Sequence, residues 1–316
     1  MRMTLIKAPD KKPFSDFSAS RNENPFKPSI YEVLEVENTG ASKRGSTFWK
    51  SLLACPREHA LTHEARLQPR YVGDPLTLGW AWHHVLETYY RGLQASQPVA
   101  ATQDAYAVIN TLIEHPDYQA FGTKLNAMFD AYLDTYEPFD KWRIVAVEEN
   151  LEYSGMFDYS ARLDLVVEDQ DRGGLWIVEH KSARLLSAEL LDNYQLDMQI
   201  LGQVWLMRHC VDASQYPQFK GVRINITTTG TKTPQCARTE VYPSDAHLAA
   251  FERSMRGLVE LRKTAAKQLW PQYLGHCAGY SRGYGRCGFF DLCHNFPEIS
   301  VKEWKTADLP PTYARR

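Results

Sequence analysis

The chain has no excess of positive charge: 36 Lys and Arg stand against 38 Asp and Glu, a formal net charge of −2. A phosphate backbone, if one is bound, therefore has to be met by local clusters of cations. The available basic residues are Arg66 and Arg70, Lys181 and Arg184, Lys263 and Lys267, and Arg282 and Arg286. There is no apolar run of membrane-spanning length and no signal-peptide pattern, so the expected location is the cytoplasm. Internal repeats and low-complexity tracts are also missing. Cysteine is scarce, with six in 316 residues, and in a cytoplasmic setting thiols do not persist as disulfides. What is present, 44% hydrophobic and 23% charged residues, is the mix of an ordinary soluble protein able to bury a sizeable core.

Residues 1 to about 44 are polar, with Pro, Ser, Asn and Lys, and read as a flexible arm. A single domain over 45–300 is expected after it. Residues 46–66 and 79–93 read as helices. The stretch 103–137, with Ile109, Leu112, Phe129, Tyr132 and Leu133 among its apolar positions, reads as part of a helical insert over about 94–140. Strands begin near 142 with RIVAVEENLEYSG. There Glu148 and Glu149 read as a solvated strand edge, an approach to a metal site being the other reading. A long helix over 187–209, a return to strand pattern over 220–243 and a helix over 244–270 lead into a cysteine-bearing loop. Residues 301–316 read as a C-terminal tail.

The most informative stretch is ARLDLVVEDQDRGGLWIVEHKSA. Its ends alternate and are rich in Val, Leu, Ile and Trp, and Asp171-Arg172-Gly173-Gly174 between them is turn chemistry, so it reads as a β-hairpin. If the hairpin folds about the midpoint between Asp171 and Arg172, Asp164 and Glu179 stand equally far from that midpoint and face each other. Lys181 shares a face with Glu179, because strand side chains alternate. Two carboxylates and one ammonium thus fall in one small patch. The plain alternative is an exposed hairpin on which Lys181 pairs with Glu179 or Asp164 at little gain in energy. Against it, Leu175, Trp176, Ile177 and Val178 make the second strand apolar on both faces, as in a buried central strand where charges are seldom found without a reason. Oxygen ligands without cysteine select Mg or Mn, and Mg usually takes one or two carboxylates and keeps its waters for substrate phosphates.

Asp, a gap of about fifteen residues, then Glu-x-Lys resembles the signature of the PD-(D/E)XK nuclease superfamily. Further elements of its RecB-like branch follow in order. GWAWHHVLE is similar to that branch's Gly-x-x-x-His-x-x-Leu-Glu helix, with Gly79, His83, Leu86 and Glu87 in register. The resemblance makes His83 a metal ligand, with the adjacent His84 as the competing candidate. NYQLDMQILGQVWL resembles the helix that carries a substrate-facing glutamine. Gln199 is the residue chosen for that role. The family often has Tyr four positions later, where this chain has Gln203, so Gln195 and Gln203 stay open as alternatives.

The last three cysteines, Cys277, Cys287 and Cys293, fall in a Gly-rich segment, CAGYSRGYGRCGFFDLC. Clustered cysteines in a cytoplasmic chain suggest metal. Three thiolates need a fourth ligand, and Cys55 stands ahead of the nuclease motifs. The same layout resembles the RecB-like members in which one cysteine before the core and three after it hold a four-iron, four-sulfur cluster. On that resemblance Cys55, Cys277, Cys287 and Cys293 are the iron-sulfur ligands. The nine residues between Cys277 and Cys287 are more than the CRISPR-associated and AddB-type members have, and a phage-type loop accommodates them. Zinc is the alternative metal, because tetrahedral sulfur ligation is common to both. Cys210 and Cys236 read as free structural thiols. Tyr280, Tyr284, Phe289 and Phe290 interleave with Arg282 and Arg286, and read as wrapping the metal site in preference to stacking on bases.

The expected fold is α/β: a central mixed β-sheet flanked by helices, a restriction-endonuclease-like core with a helical insert and a C-terminal cysteine loop. The resemblance implies metal-dependent hydrolysis of DNA phosphodiester bonds, exonucleolytic, in recombination, repair or phage DNA processing. His83, Asp164, Glu179 and the backbone carbonyl of His180 would hold one or two Mg or Mn ions. Asp164, Glu179, Lys181 and Gln199 form the expected catalytic set. DNA is the expected partner, and a recombination or helicase protein is a compatible one. The alternatives are a catalytically silent protein that binds DNA ends and a zinc-stabilised interaction module.

Overall fold

The computed structural model describes residues 28–36, 42–69, 74–137, 140–211, 218–230, 233–277 and 287–315. Arg70, Tyr280, Arg282, Tyr284, Arg286 and most of the expected N-terminal arm lie outside these. The part of the arm that is described contains one helical turn, Ile30–Val33 (α1), capped by Ser29, and Ile30 is buried in the core.

Residues 46–66 do not form one helix. Pro56 has no N–H to donate and is tolerated only at the start of a helix, so the segment divides into Ser46–Ala54 (α2) and Pro56–His63 (α3), with Cys55 extended between them. A short strand, Leu67–Pro69 (β1), follows. Asp74–Gln94 (α4), Pro98–Glu114 (α5) and Gln119–Tyr136 (α6) form one helical layer. Leu78, Ala81, Trp82, Val85, Leu86 and Tyr89 give α4 its buried stripe, at helical spacing.

The sheet has five strands in spatial order β2-β3-β4-β5-β6: Trp142–Tyr153 (β2), Tyr159–Asp169 (β3), Leu175–Ala183 (β4), Phe219–Thr228 (β5) and Cys236–Val241 (β6). It is mixed, since β4 and β5 run parallel and the other neighbouring pairs antiparallel. The β3–β4 hairpin pairs Glu168 with Leu175, Val167 with Trp176, Val166 with Ile177 and Leu165 with Val178, the register expected from the turn. Gly173 and Gly174, at φ 71° and 87°, occupy left-handed positions that favour glycine, and the Asp169 carboxylate accepts from the backbone N–H groups of Asp171 and Arg172.

After β4 come Ala188–Asn193 (α7), a 3₁₀ turn and Met198–Cys210 (α8). The expected long helix over 187–209 is interrupted because Asp197 is extended and caps α8, accepting from the Gln199 N–H at 2.7 Å. Asp245–Lys267 (α9) lies beside α8. One core, with Ile177, Trp205, Ile224 and Met255, joins the sheet to α2, α8 and α9, and a second, with Trp82, Phe129, Leu165 and Val178, joins its other face to α4, α5 and α6.

A third core gathers Leu61, Leu67, Cys287, Phe289, Cys293, Trp304 and Tyr313. It draws on Phe290–Asn295 (α11), which follows the short helix Leu274–Cys277 (α10) in the chain, and on Tyr313–Arg315 (β7), which pairs antiparallel with β1. Residues 301–315, read from the sequence as a tail, are thus folded: Val301, Trp304 and Tyr313 are buried and β7 closes a two-stranded sheet. Among the described residues, no helix is long and apolar enough to cross a membrane.

Candidate active site

Alternation along β4 delivers the charged residues to opposite layers. Leu175 and Ile177 face the α8–α9 core and Trp176 and Val178 the α4–α6 core. Glu179 and Lys181 therefore continue toward α8, and His180 turns to the other side, where its ring stacks on Tyr90 and meets Tyr132 edge-on. Burial depresses the His180 imidazole to a pKa of about 3, so the ring is neutral.

Asp164 lies where the ladders open. The β3–β4 pairs stop at Leu165 and Val178, and the β2–β3 pairs run through Glu149–Leu163 and Val147–Leu165 with none between Glu148 and Asp164. Odd positions of β3 face the α8–α9 core up to Leu163 and the α4–α6 core from Leu165. The strand thus changes faces at Asp164. Its carboxylate replaces the missing ladder bond by accepting from the His180 N–H at 2.8 Å, and it sits 3.3 Å from His83 Nδ1.

His83 reaches this point from α4, which crosses β4 where Gly79 faces Ser182. His84 points elsewhere, stacked on Trp80 and 3.7 Å from Glu87. Of the two histidines, the structure brings His83 to Asp164.

Glu148 is the residue whose favoured reading the structure corrects. Its φ of 54° is left-handed, sparsely populated for a side chain of this kind, and the local kink turns its carboxylate inward. It pairs with Arg162 at 2.6 Å with a side chain only 9% exposed, and its oxygen lies with those of Asp164 and the His83 nitrogen in one group, all mutually within 4.8 Å. Glu149, by contrast, is exposed. Strained backbone of this kind costs about 1–3 kcal/mol and tends to cluster at active sites.

Glu179 is 1% exposed and surrounded by donors. Lys181 Nζ donates to Oε1 at 2.5 Å, Gln199 Nε2 to the same oxygen at 2.6 Å, and Gln203 Nε2 to Oε2 at 2.6 Å. Lys181 also donates to Gln199 Oε1 at 2.9 Å. Gln195 is exposed and turns toward Glu240. Gln203 was the less favoured reading, yet one helical turn after Gln199 it shares that residue's face. Glycine at 202 makes this approach possible: a Cβ there would lie 2.2 Å from the Tyr159 hydroxyl oxygen. Gly202→Ala is expected to push α8 off the sheet, lower the melting temperature and reduce any activity that depends on Glu179. Thermal unfolding alongside an activity assay checks this, and an unchanged melting temperature would contradict the tight contact.

The charges are strongly coupled. Burial and the Asp164 charge hold the Glu179 carboxyl above its usual range, and the same two causes raise Glu148 to about 8. Asp164 is buried too, but His83 and its hydrogen bond more than offset this and hold it well below the usual carboxylate range. For His83 and Lys181, burial opposes protonation and the neighbouring carboxylates prevail, raising both. The result is a buried centre in which protons balance an excess of carboxylate. A divalent cation fits such a donor set.

A family profile matches residues 48–294, and its description is the PD-(D/E)XK nuclease superfamily. The chain belongs to the PD-(D/E)XK nuclease superfamily. This membership agrees with the mixed five-stranded sheet flanked by helices. No curated protein matches the chain. Among solved structures, a candidate exonuclease from Eubacterium rectale is similar at 11% identity over 85% of this chain and 97% of that one, with a TM-score of 0.43. SSO0001 is similar at 15% identity over 68% and 84%, with a TM-score of 0.33. LHK-Exo, in complex with dAMP, is similar at 12% identity over 60% and 94%, with a TM-score of 0.27.

Away from these residues in the sequence, Cys55, Cys277, Cys287 and Cys293 of this PD-(D/E)XK domain are all buried. Donors point at their sulfurs: Tyr273 N–H at 3.5 Å from Cys55, Gln272 Nε2 at 3.2 Å from Cys277 and Phe289 N–H at 3.4 Å from Cys287. Burial raises the Cys293 thiol, with Arg57 acting against it, and Cys277 and Cys55 are near enough to add to the rise. The sequence reading did not include His276 and Glu58, paired at 2.5 Å, whose ligand atoms group with Cys287 within 4.8 Å. Cys210 and Cys236 stand apart, near the Glu152 carbonyl and the Thr227 hydroxyl.

Proposed function

We propose that the protein is a Mg- or Mn-dependent deoxyribonuclease of the RecB-like branch, with an iron-sulfur clasp at Cys55, Cys277, Cys287 and Cys293. The observation that carries this reading is the convergence of His83, Glu148 and Asp164 at the opening of the sheet, with Glu179 and Lys181 beside them. His83, Asp164, Glu179 and the His180 carbonyl would hold the cation, and Glu148 joins them as a further oxygen donor. When bound, the cation supplies an activated water and charge stabilisation at the phosphate. Lys181, held protonated by Glu179 and Asp164, is suited to orienting that water or countering charge on the phosphate, and unsuited to accepting a proton. Gln199 fixes Lys181 and Glu179 relative to one another, and Gln203 holds the far oxygen of Glu179. No side chain acts as a nucleophile.

Incubation of labelled linear DNA with Mg, with Mn and with a chelator tests this directly. Cleavage in either cation and none in chelator is expected. Binding of DNA ends without cleavage in any cation would replace this reading with that of a silent end-binding protein.

Metal affinity should also rise with pH. In the metal-free protein Glu148 keeps its proton up to about 8 and His83 holds its proton more tightly than usual, so below that pH a cation has to displace both. Linkage gives a matching sign for stability. The folded pKa of Glu148 lies above its ordinary 4.5, so the stability this group contributes is complete below 4.5 and is lost as pH rises to about 8. Mn titration by calorimetry at pH 6 and pH 8 checks the first statement. A flat affinity across that interval would contradict it.

A further inference from the structure

We propose that the groove beside the candidate metal ligands is a subsite for a single unpaired nucleotide at the end of a DNA strand, its base stacked against Trp80. The proposal rests on the nuclease reading and names the form of DNA that the site takes.

The groove has a volume of ≈ 540 Å³, and His83 and Glu148 stand in its wall. Its long side is one stripe of α4. Trp80, His84, Glu87 and Arg91 share this stripe with His83 at helical spacing, on the face opposite Trp82 and Val85, and all of them line the cavity. The stripe begins with a tryptophan. Trp80 packs against the rim of the core that the buried stripe of α4 enters, is only half-buried, and borders a polar cavity on its other side. Its ring lies nearly parallel to His84, at 10° with centroids 5.6 Å apart, and Tyr31 of α1 backs it at 3.9 Å. An aromatic wall with polar surroundings suits the face of a nucleobase, and such stacking accepts any base.

Cations border the same space. Arg162 pairs with Glu148, Arg91 pairs with Glu87, and Lys43 comes from the segment before α2. The two arginines can pass from carboxylate to phosphate, since both groups match the guanidinium fork. The wall holding Lys43 is fixed to the sheet: the Arg44 N–H donates to Ser160 Oγ at 3.0 Å, and a Cβ on Gly45 would lie 2.9 Å from the Ser160 carbonyl oxygen. Single-molecule pockets run from about 300 to 1,000 Å³, so the cavity suits one nucleotide. A paired base would bring its partner with it, whereas a cavity of this size matches one nucleotide.

The test uses DNA carrying 2-aminopurine as its terminal nucleotide, either in an unpaired overhang or in a blunt duplex, with calcium in place of magnesium to separate binding from cutting. The overhang probe is expected to be quenched by the wild-type protein and by Trp80→Phe. Trp80→Leu, which keeps apolar volume against Tyr31 without a π-face, is expected to lose the quenching. In magnesium, Trp80→Leu should raise KM for the overhang by roughly five- to a hundredfold, the range of one base stack. That penalty should vanish when the terminal nucleotide is abasic. Quenching retained by Trp80→Leu, an equal penalty on abasic DNA, or equal quenching of the blunt duplex would overturn the subsite. Cutting without quenching removes the subsite and keeps the nuclease, whereas quenching without cutting keeps the subsite and removes the nuclease.

Discussion

Glu179→Ala is expected to reduce DNA cleavage by about a thousandfold or more, since on the proposed reading it removes a carboxylate that would hold the charge-stabilising cation. It should also destabilise the fold. Glu179 is buried and accepts from Lys181, Gln199 and Gln203, and removing one partner of a buried ion pair typically costs about 3–5 kcal/mol because the other charge is left uncompensated. The two effects can be separated. In Glu179→Leu/Lys181→Met, apolar side chains of similar size replace both charges, a change that is often neutral or stabilising. The double variant should recover much of the melting temperature and none of the activity. Thermal unfolding together with cleavage of labelled DNA reads both quantities. Recovery of activity with stability would mean that Glu179 and Lys181 form a structural pair and nothing more.

Serine at any one of Cys55, Cys277, Cys287 or Cys293 is expected to lower iron content and melting temperature together. Cys55 sits at the break between α2 and α3 and Cys277 ends α10, and the β3–β4 hairpin lies between them in sequence. A metal group shared by the four would tie these ends together, and structural metals contribute on the order of 10 kcal/mol to folding. Backbone and side-chain donors already aimed at three of the sulfurs suit thiolate or sulfide better than neutral thiols. Cys210→Ser and Cys236→Ser should change neither quantity, because neither thiol lies near the others. His276→Ala should lose stability through its pair with Glu58 while keeping the iron. Loss of iron in His276→Ala with iron retained in Cys55→Ser would point instead to the Glu58–His276–Cys287 group as the metal site. A colourless, zinc-loaded protein would replace the cluster and leave the clasp in place.

The hairpin was legible in the sequence because two local signals agree. A Gly-Gly turn fixes the midpoint, alternation fixes the faces, and together they give the register that pairs Leu165 with Val178, whereas the change of faces at Asp164, where that ladder ends, has no such signal. The mixed sheet with helices on both faces follows from the apolar run in β4. Glu148 was not legible as an inward residue, since its direction depends on a left-handed backbone at one position and a gap in the ladder, and neither has a sequence signal. Gln203 did have one, its spacing of four from Gln199, although a glutamine on a mostly apolar helix also reads as a flank. The break before α3 was written in Pro56. The β1–β7 pairing was not, because it joins residues 67–69 to 313–315 and two three-residue strands carry almost no periodicity.

The central claim is that this centre binds a divalent cation and uses it to cut DNA, and Mn titration of the wild-type protein beside Asp164→Asn tests it most directly. Asp164 accepts from the His180 N–H and faces His83, so the amide keeps the shape of the side chain and removes its charge. Paramagnetic resonance of free Mn gives the affinity, and the same samples with labelled DNA give the cleavage rate at each Mn concentration. The account predicts that the wild-type rate rises in step with bound Mn and that Asp164→Asn shows neither tight binding nor cleavage. Equal Mn affinity and equal cleavage in the two proteins would contradict it.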